Sequence, residues 1–256
     1  MIENFKGKTA VLTGAGSGFG LECARIGARL GMNLVLVDVQ QDALDKAEAE
    51  MTAQGVQVLA RKVDVSKAAA MEQLAADVKA RFGAPHFVFN NAGVGAGGLV
   101  WENSVADWEW VLGVNLGGVS KHAVVSLTET LYQDLQLVSD QVSASVLCPY
   151  FVPTGISQSH RNRPADLPPE KPTASQLIGQ AQSDKAVSSG KVSAADVAQK
   201  VFDAVASGQF YIYSHPQALG NVQSRMEAIV QGINPPDPFA ARPDVGESLR
   251  KALRAI

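Results

Sequence analysis

Short, almost continuously apolar runs alternate along this chain with longer segments in which apolar residues recur every three to four positions. Thr9 to Thr13 (T-A-V-L-T) and Asn33 to Val39 (N-L-V-L-V-D-V) are runs of the first kind. Such runs predict strands buried on both faces, as in a parallel sheet covered by helices. Val56 to Val65 and Phe87 to Phe89 predict two more. Between them, Gly18 to Leu30, Gln41 to Gln54 and Lys67 to Phe82 carry helical spacing, with Gly31, Gly55 and Gly83 just past their ends. Strand and helix in repeated alternation require right-handed crossovers and place helices on both faces of a parallel sheet. The first half is thus a doubly wound α/β unit in outline.

Lys121 opens another helical pattern, with Val124, Leu127, Leu131 and Leu135 on one face. Val142 to Leu147 predicts a strand, Ser193 to Ala206 a capped helix, and Gln209 to Ser214 an aromatic-rich last strand. Gly155 to Ser189 is rich in Ser, Pro and Gln, which suits a mobile lid over residues 155–190. The tail 220–256, broken by Pro235, Pro236 and Pro238, suits a surface or subunit-contact extension. A length of 256 residues, 46% of them apolar, can bury a full core, and one domain spanning 1–256 fits better than two.

A net charge of −3 without long runs of either sign gives no electrostatic footprint for nucleic acid or an anionic membrane. No stretch approaches the roughly 20 consecutive apolar residues of a spanning helix. A soluble, cytoplasmic protein is expected. The two cysteines, Cys23 and Cys148, are too few for a disulfide framework or a zinc cluster and are expected to be reduced packing residues.

Candidate chemistry begins at the first strand-to-helix turn, T13-G14-A15-G16-S17-G18-F19-G20. Glycines there let the backbone approach a pyrophosphate, and a helix N-terminus offers it unpaired N–H groups and a positive dipole end. The generic G-x-G-x-x-G fingerprint fails, because Phe19 stands at its third glycine. Asp38 lies about 20 residues on, at the end of the second strand, where a carboxylate can accept hydrogen bonds from ribose hydroxyls and repels a 2′-phosphate. Taken alone, Asp38 also suits a cap for the following helix. Asp64-Val65 follows the third strand and Asn90-Asn91-Ala92-Gly93 the fourth.

In that order and spacing, T-G-x-x-x-G-x-G and N-N-A-G resemble the short-chain dehydrogenase/reductase family, whose fold is a Rossmann-type parallel sheet flanked by helices. The resemblance implies a dinucleotide held by Thr13, Gly14, Ser17, Gly18, Phe19, Gly20, Asp38, Asp64, Val65, Asn91, Ala92 and Gly93. No Arg or Lys stands at Val39, Gln40 or Ser17, so NAD is expected rather than NADP. Pro149-Tyr150-Phe151-Val152-Pro153-Thr154 is similar to the family's P-G-x-V-x-T segment, implying nicotinamide contacts from Pro149, Val152 and Thr154, with Tyr150 in place of the usual glycine. Asn115 and Lys121 look like the family's catalytic Asn and the Lys of its Tyr-x-x-x-Lys motif. That lysine binds the nicotinamide ribose and lowers the tyrosine's pKa. The implied activity interconverts a secondary alcohol and a carbonyl by hydride transfer, on a small-molecule alcohol or ketone, in a homo-dimer or homo-tetramer.

One stretch departs from the pattern. Asn115 to Lys121 reads N-L-G-G-V-S-K, and four residues before Lys121 stands Gly117, not Tyr. A strand, a serine and the tyrosine, about 30 residues or more by the size of a βαβ unit, have no counterpart there. Two accounts follow: residues lost between Leu116 and Val119, or a continuous chain whose product is a catalytically inactive nucleotide-binding or scaffold protein. Apolar residues keep helical spacing from Val105 to Leu135, but two glycines at about 1 kcal/mol apiece favour a break over one fused helix.

Other candidates are weaker. His86, His122, His160 and His215 lack metal-ligand spacing, and no metal is expected. Tyr132, Tyr211 and Tyr213 suit packing or subunit contacts. Trp101, Trp108 and Trp110 suit a dimer surface or the core equally well.

Overall fold

The computed structural model describes residues 2–115, 121–165, 167, 171–240 and 242–254; the side chains of Val100 and Lys121 are also left undescribed. Strands β1 (Thr9–Thr13), β2 (Asn33–Asp38), β3 (Val58–Lys62) and β4 (Phe87–Phe89) form a parallel sheet in the order β3-β2-β1-β4. Helices α1 (Gly18–Arg29), α2 (Gln41–Thr52) and α3 (Ala68–Phe82) make the crossovers. Alternation along the strands divides the core. Ala10, Leu12, Leu34 and Leu36 face α1 and α2, while Val11, Val35 and Val37 face Leu74 and Val78 of α3. Leu36 is fully buried, and truncating it to Ala should cost about 2–5 kcal/mol.

The second half contributes α4 (Val105–Asn115), α5 (Lys121–Val138), β5 (Val146–Cys148), α6 (Ala174–Ser188), α7 (Ala194–Ser207), β6 (Tyr211–Tyr213), α8 (Gly220–Gln231) and α9 (Pro243–Arg254). The predicted helix from Ser193 is α7. Ser193 and Asp196 form a reciprocal capping box at its start, and Gly208 ends it in the left-handed conformation at φ +72°. Its apolar face packs on α1, and Phe202 meets Phe5 and Phe87 edge-on at 5.4 and 5.5 Å. The predicted strand Val142 to Leu147 starts later, at Val146. The amides of Gln141 and Val142 donate to the Ser139 hydroxyl (3.1 and 3.2 Å), so this stretch closes a turn, and pairing begins where Val146 N–H donates to the Phe210 carbonyl. The tail expected as a broken extension is largely helical, with Pro235 to Pro238 between α8 and α9.

β5 pairs in parallel with β6 as a separate two-stranded sheet. Among the described residues, no strand pairs with the outer edge of β4 or with the free edge of β5. The two sheets are joined by side chains instead: Ile212 of β6 shares the core of Leu12, Ala24 and Phe202. Helix α5 leans on the smaller sheet, where Tyr132 meets Phe210 at 4.9 Å and the Tyr211 hydroxyl donates to Glu129 at 2.5 Å. Both tyrosines thus make contacts within the chain, while Tyr211 remains exposed. The expected discontinuity between Leu116 and Val119 lies outside the described residues.

Candidate functional site

β1 delivers Thr13 to the C-terminal edge of the sheet. Its buried hydroxyl accepts from the N–H groups of Asn91 (2.9 Å) and Ala92 (3.0 Å) and donates to the Phe89 carbonyl (3.4 Å). Asn91 Nδ2 donates back to the Thr13 carbonyl at 2.9 Å. The ends of β1 and β4 are clasped, which fixes Asn91–Gly93 beside the glycine turn.

At two glycines of that turn no side chain fits. A Cβ on Gly20 would lie 2.3 Å from the Gly14 carbonyl oxygen, and one on Gly16 would lie 2.9 Å from Asp38 Oδ2. Gly14 and Gly18 take φ of +66° and +54°, which L-residues with side chains adopt at a cost. Ser17 is the N-cap of α1 but makes no side-chain cap bond, so the first-turn amides keep their donors for a ligand. A bare backbone cradle at a helix N-terminus fits a diphosphate.

Asp38 ends β2 with its carboxylate oriented by two backbone donors, Gly16 N–H to Oδ2 (2.8 Å) and Gln40 N–H to Oδ1 (2.9 Å). The N-cap of α2 is Gln40, not Asp38. Asp64 closes the turn into α3, its Oδ1 accepting from the Ser66 N–H (2.9 Å) and hydroxyl (2.7 Å). Asn115, the last residue of α4, grips the loop after β4 by two bonds to the Val94 backbone. After β5, Val152 is buried and Thr154 packs toward α1, its side chain 3.4 Å from where a Gly18 Cβ would stand. Tyr150 is accommodated on the open side of its turn: its N–H donates to Ser214 Oγ at 2.8 Å, and its ring lies edge-on to Phe151 and His215.

Thr13, Gly14, Gly16 to Phe19, Asp38, Asp64, Asn91 to Val94, Asn115, Tyr150, Val152 and Thr154 border one cavity of about 2780 Å³, while Gly20 lies beneath the turn. Lys121 opens α5, and His122, Val124 and Val125 of the same first turns line the cavity shared by Gly93 and Asn115. The cavity continues between the two sheets, past Val88, Leu127, Leu131 and Val146. Val88, in the middle of β4, is half exposed there.

A short chain dehydrogenase/reductase from Burkholderia phymatum, solved in complex with NAD, is similar over 94% of this chain and 100% of its own, with a TM-score of 0.90 and 44% identity. This chain belongs to the short-chain dehydrogenase/reductase family. The family model, described as short chain dehydrogenase, matches residues 8–120 and stops one residue before Lys121. Among curated family relatives, a CLA biosynthesis dehydrogenase/reductase from Lactiplantibacillus plantarum is 28% identical over 273 residues, covering 90% of this chain and 95% of the relative. A meso-2,3-butanediol dehydrogenase from Serratia marcescens is 37% identical over 129 residues, about half of each chain. Membership makes the protein an oxidoreductase by kinship, with a nicotinamide dinucleotide as its family cofactor. Among the described residues, no helix is long and apolar enough to cross a membrane, and no three His, Cys, Asp or Glu side chains gather as a metal site.

Two features of this family member escape sequence reasoning. Arg163 forms an ion pair with Asp107 in which both side chains are 12% exposed, and its guanidinium lies 5.3 Å from the centre of the Trp110 ring. Trp110 is therefore core, whereas Trp101 is 79% exposed. Gln40 Nε2 also donates to the Arg161 carbonyl (3.2 Å) and to Asn162 Oδ1 (2.9 Å). Both links join residues more than 50 positions apart, and no local pattern announces them.

Proposed function

We propose that this protein is an NAD-dependent oxidoreductase that interconverts a secondary alcohol and a carbonyl compound. The observation that carries the cofactor reading is Asp38, held by Gly16 and Gln40 beside the glycine turn. There its negative charge suits ribose hydroxyls and opposes a 2′-phosphate. Thr13, Gly14, Ser17, Gly18, Phe19 and Gly20 form the diphosphate cradle, Asp64, Val65 and Asn91–Gly93 flank the adenine side, and Pro149, Val152 and Thr154 hold the carboxamide end. The cofactor supplies hydride transfer. The substrate reading leans on the names of the relatives, which include an alcohol dehydrogenase of the butanediol type. Val222, Met226, Ile229 and Val230, exposed on α8, offer a surface for a homo-oligomer.

The proton that accompanies the hydride needs a donor, and Gly117 stands where the family tyrosine would be. We assign the missing donor to a segment absent between Asn115 and Lys121. The alignment with the Lactiplantibacillus relative leaves room for a loss of this size. It runs over 273 positions but spans only 90% of 256 residues, about 230, so about 43 positions face no residue here. The open edges of β4 and β5 on either side of the cavity suit the loss of a strand. The same observation favours a second reading for the 256-residue chain, a binder of NAD without turnover. A chain verified by intact mass should be offered NAD with a panel of secondary alcohols, and NADH with ketones. Turnover by that chain eliminates the inactive reading; NAD binding without turnover, regained on restoring the segment, establishes it for this chain and keeps the family activity for the longer one. Failure to bind either nicotinamide dinucleotide would sink both.

A further inference from the structure

The contacts between the glycine turn and the segment after β5 close a ring. Thr154 rests against Gly18, and Gly155 follows it. The Arg161 guanidinium lies over Gly155, where an added Cβ would stand 2.5 Å from Nη2. The Arg161 carbonyl and Asn162 side chain accept from Gln40 Nε2, Gln40 N–H donates to Asp38, and Asp38 accepts from Gly16. The ring therefore begins and ends in the glycine turn, and each of these residues borders the same cavity. The short helical stretch Gly155–Asn162, the start of the segment 155–190 expected from composition to be a lid, thus reaches Gln40, next to Asp38.

Within that ring Arg161 carries the positive charge. Among the described residues Arg161 has no carboxylate partner, and it is the one arginine that belongs to this ring. Its guanidinium makes a single long bond of 3.5 Å, to Gln158 Oε1. An exposed arginine gains rotamer entropy by extending into water. This one is folded back over Gly155, next to the Thr154–Gly18 contact, and borders the same cavity as the N-terminal turn of α1. A planar fork of donors in that position matches phosphate oxygens.

The geometry points to Arg161 as a cofactor-binding residue that holds the dinucleotide diphosphate together with the glycine turn, with the Gln40–Asn162 bond keeping its segment in place. This assignment rests on the dinucleotide reading above. It deepens that reading by making residues 155–162 part of the cofactor site.

Titration of the full chain with NAD, ADP-ribose, NADP and adenosine, followed calorimetrically, tests it. Arg161→Ala should weaken NAD and ADP-ribose roughly tenfold, the loss of one charge-assisted bond, and leave adenosine unchanged. Arg161→Lys should recover part of the loss, and Gly155→Ala, which displaces the guanidinium, should reproduce it. Wild-type affinity for NAD and ADP-ribose in Arg161→Ala overturns the assignment while leaving the dinucleotide reading intact. A loss confined to NADP also overturns it, because Arg161 would then meet a 2′-phosphate. Absence of NAD and NADP binding by the wild-type chain removes the dinucleotide reading and this one with it.

Discussion

Asn115 satisfies both backbone polar groups of Val94: its Oδ1 accepts from the Val94 N–H at 2.8 Å, and its Nδ2 donates to the Val94 carbonyl at 2.5 Å. The amide fastens the end of α4 to the loop that follows β4, whatever further part it plays in chemistry. Asn115→Ala strands both groups in a partly buried place and should cost about 2 kcal/mol of stability. Asn115→Asp keeps the acceptor but sets a carboxylate oxygen against a carbonyl, so it should be no better at neutral pH. Urea unfolding of the two variants beside the wild type checks this. Equal midpoints in all three would show that the clasp contributes nothing.

Asp38 should decide which dinucleotide binds. Asp38→Ala removes the acceptor proposed for the ribose hydroxyls and the charge that opposes a 2′-phosphate. NAD affinity should fall about tenfold while NADP affinity holds or rises. The ratio of the two dissociation constants, read by fluorescence titration, is the quantity to compare; an unchanged ratio would remove Asp38 from cofactor selection.

The Asp107–Arg163 pair gives stability a particular pH dependence. Burial tends to raise the Asp107 pKa, but hydrogen bonds from the Arg163 guanidinium and from Ser104 prevail and hold the carboxyl below its ordinary value. A native pKa below the unfolded one adds stability that is complete above the unfolded pKa, about 4, and is lost as pH falls through the lower native value. Asp107→Asn should therefore cost about 3 kcal/mol near pH 7, and its deficit should shrink below pH 4. Urea midpoints of both proteins across that range test it, and a deficit constant with pH would exclude the ionised pair as its source.

The cysteines should differ sharply towards alkylation. Cys23 is fully buried in α1, and burial, assisted by the neighbouring Glu22 charge, pushes its thiol up to about 12. Cys148 ends β5 and is partly accessible. Iodoacetamide at pH 8 should modify Cys148 in the native protein and reach Cys23 only after unfolding, as peptide mass mapping would show. Early labelling of Cys23 would contradict its burial.

The first sheet is legible in the sequence because every signal there is local. Apolar runs mark β1, β2 and β4 within a residue or so, the glycines mark the turn, and Asp38 stands at a strand end. The second half is harder to read. The hydroxyl of Ser139 draws Gln141 and Val142 into a turn, although Val142 looks like the start of a strand. The proline-rich tail folds as two helices because its prolines fall between them and at the first residue of α9. The contact that residues 161 and 162 make with Gln40 is not legible in composition, since a Ser-rich stretch says nothing about the distant side chain it will meet. The departure between Asn115 and Lys121, by contrast, was visible only as sequence, as a spacing too short for its motif.

The packing of α7 on α1 has a consequence for how the protein is made. Phe5, Phe87 and Phe202 complete one face of the first sheet, yet Phe202 leaves the ribosome long after the other two. Until then the growing chain carries an uncovered apolar surface on α1, the sort of exposure that invites chaperones or aggregation during synthesis. A chain stopped before Ser193 should bind the dye ANS strongly where the full chain does not, and equal dye binding would show that α7 is no cover at all.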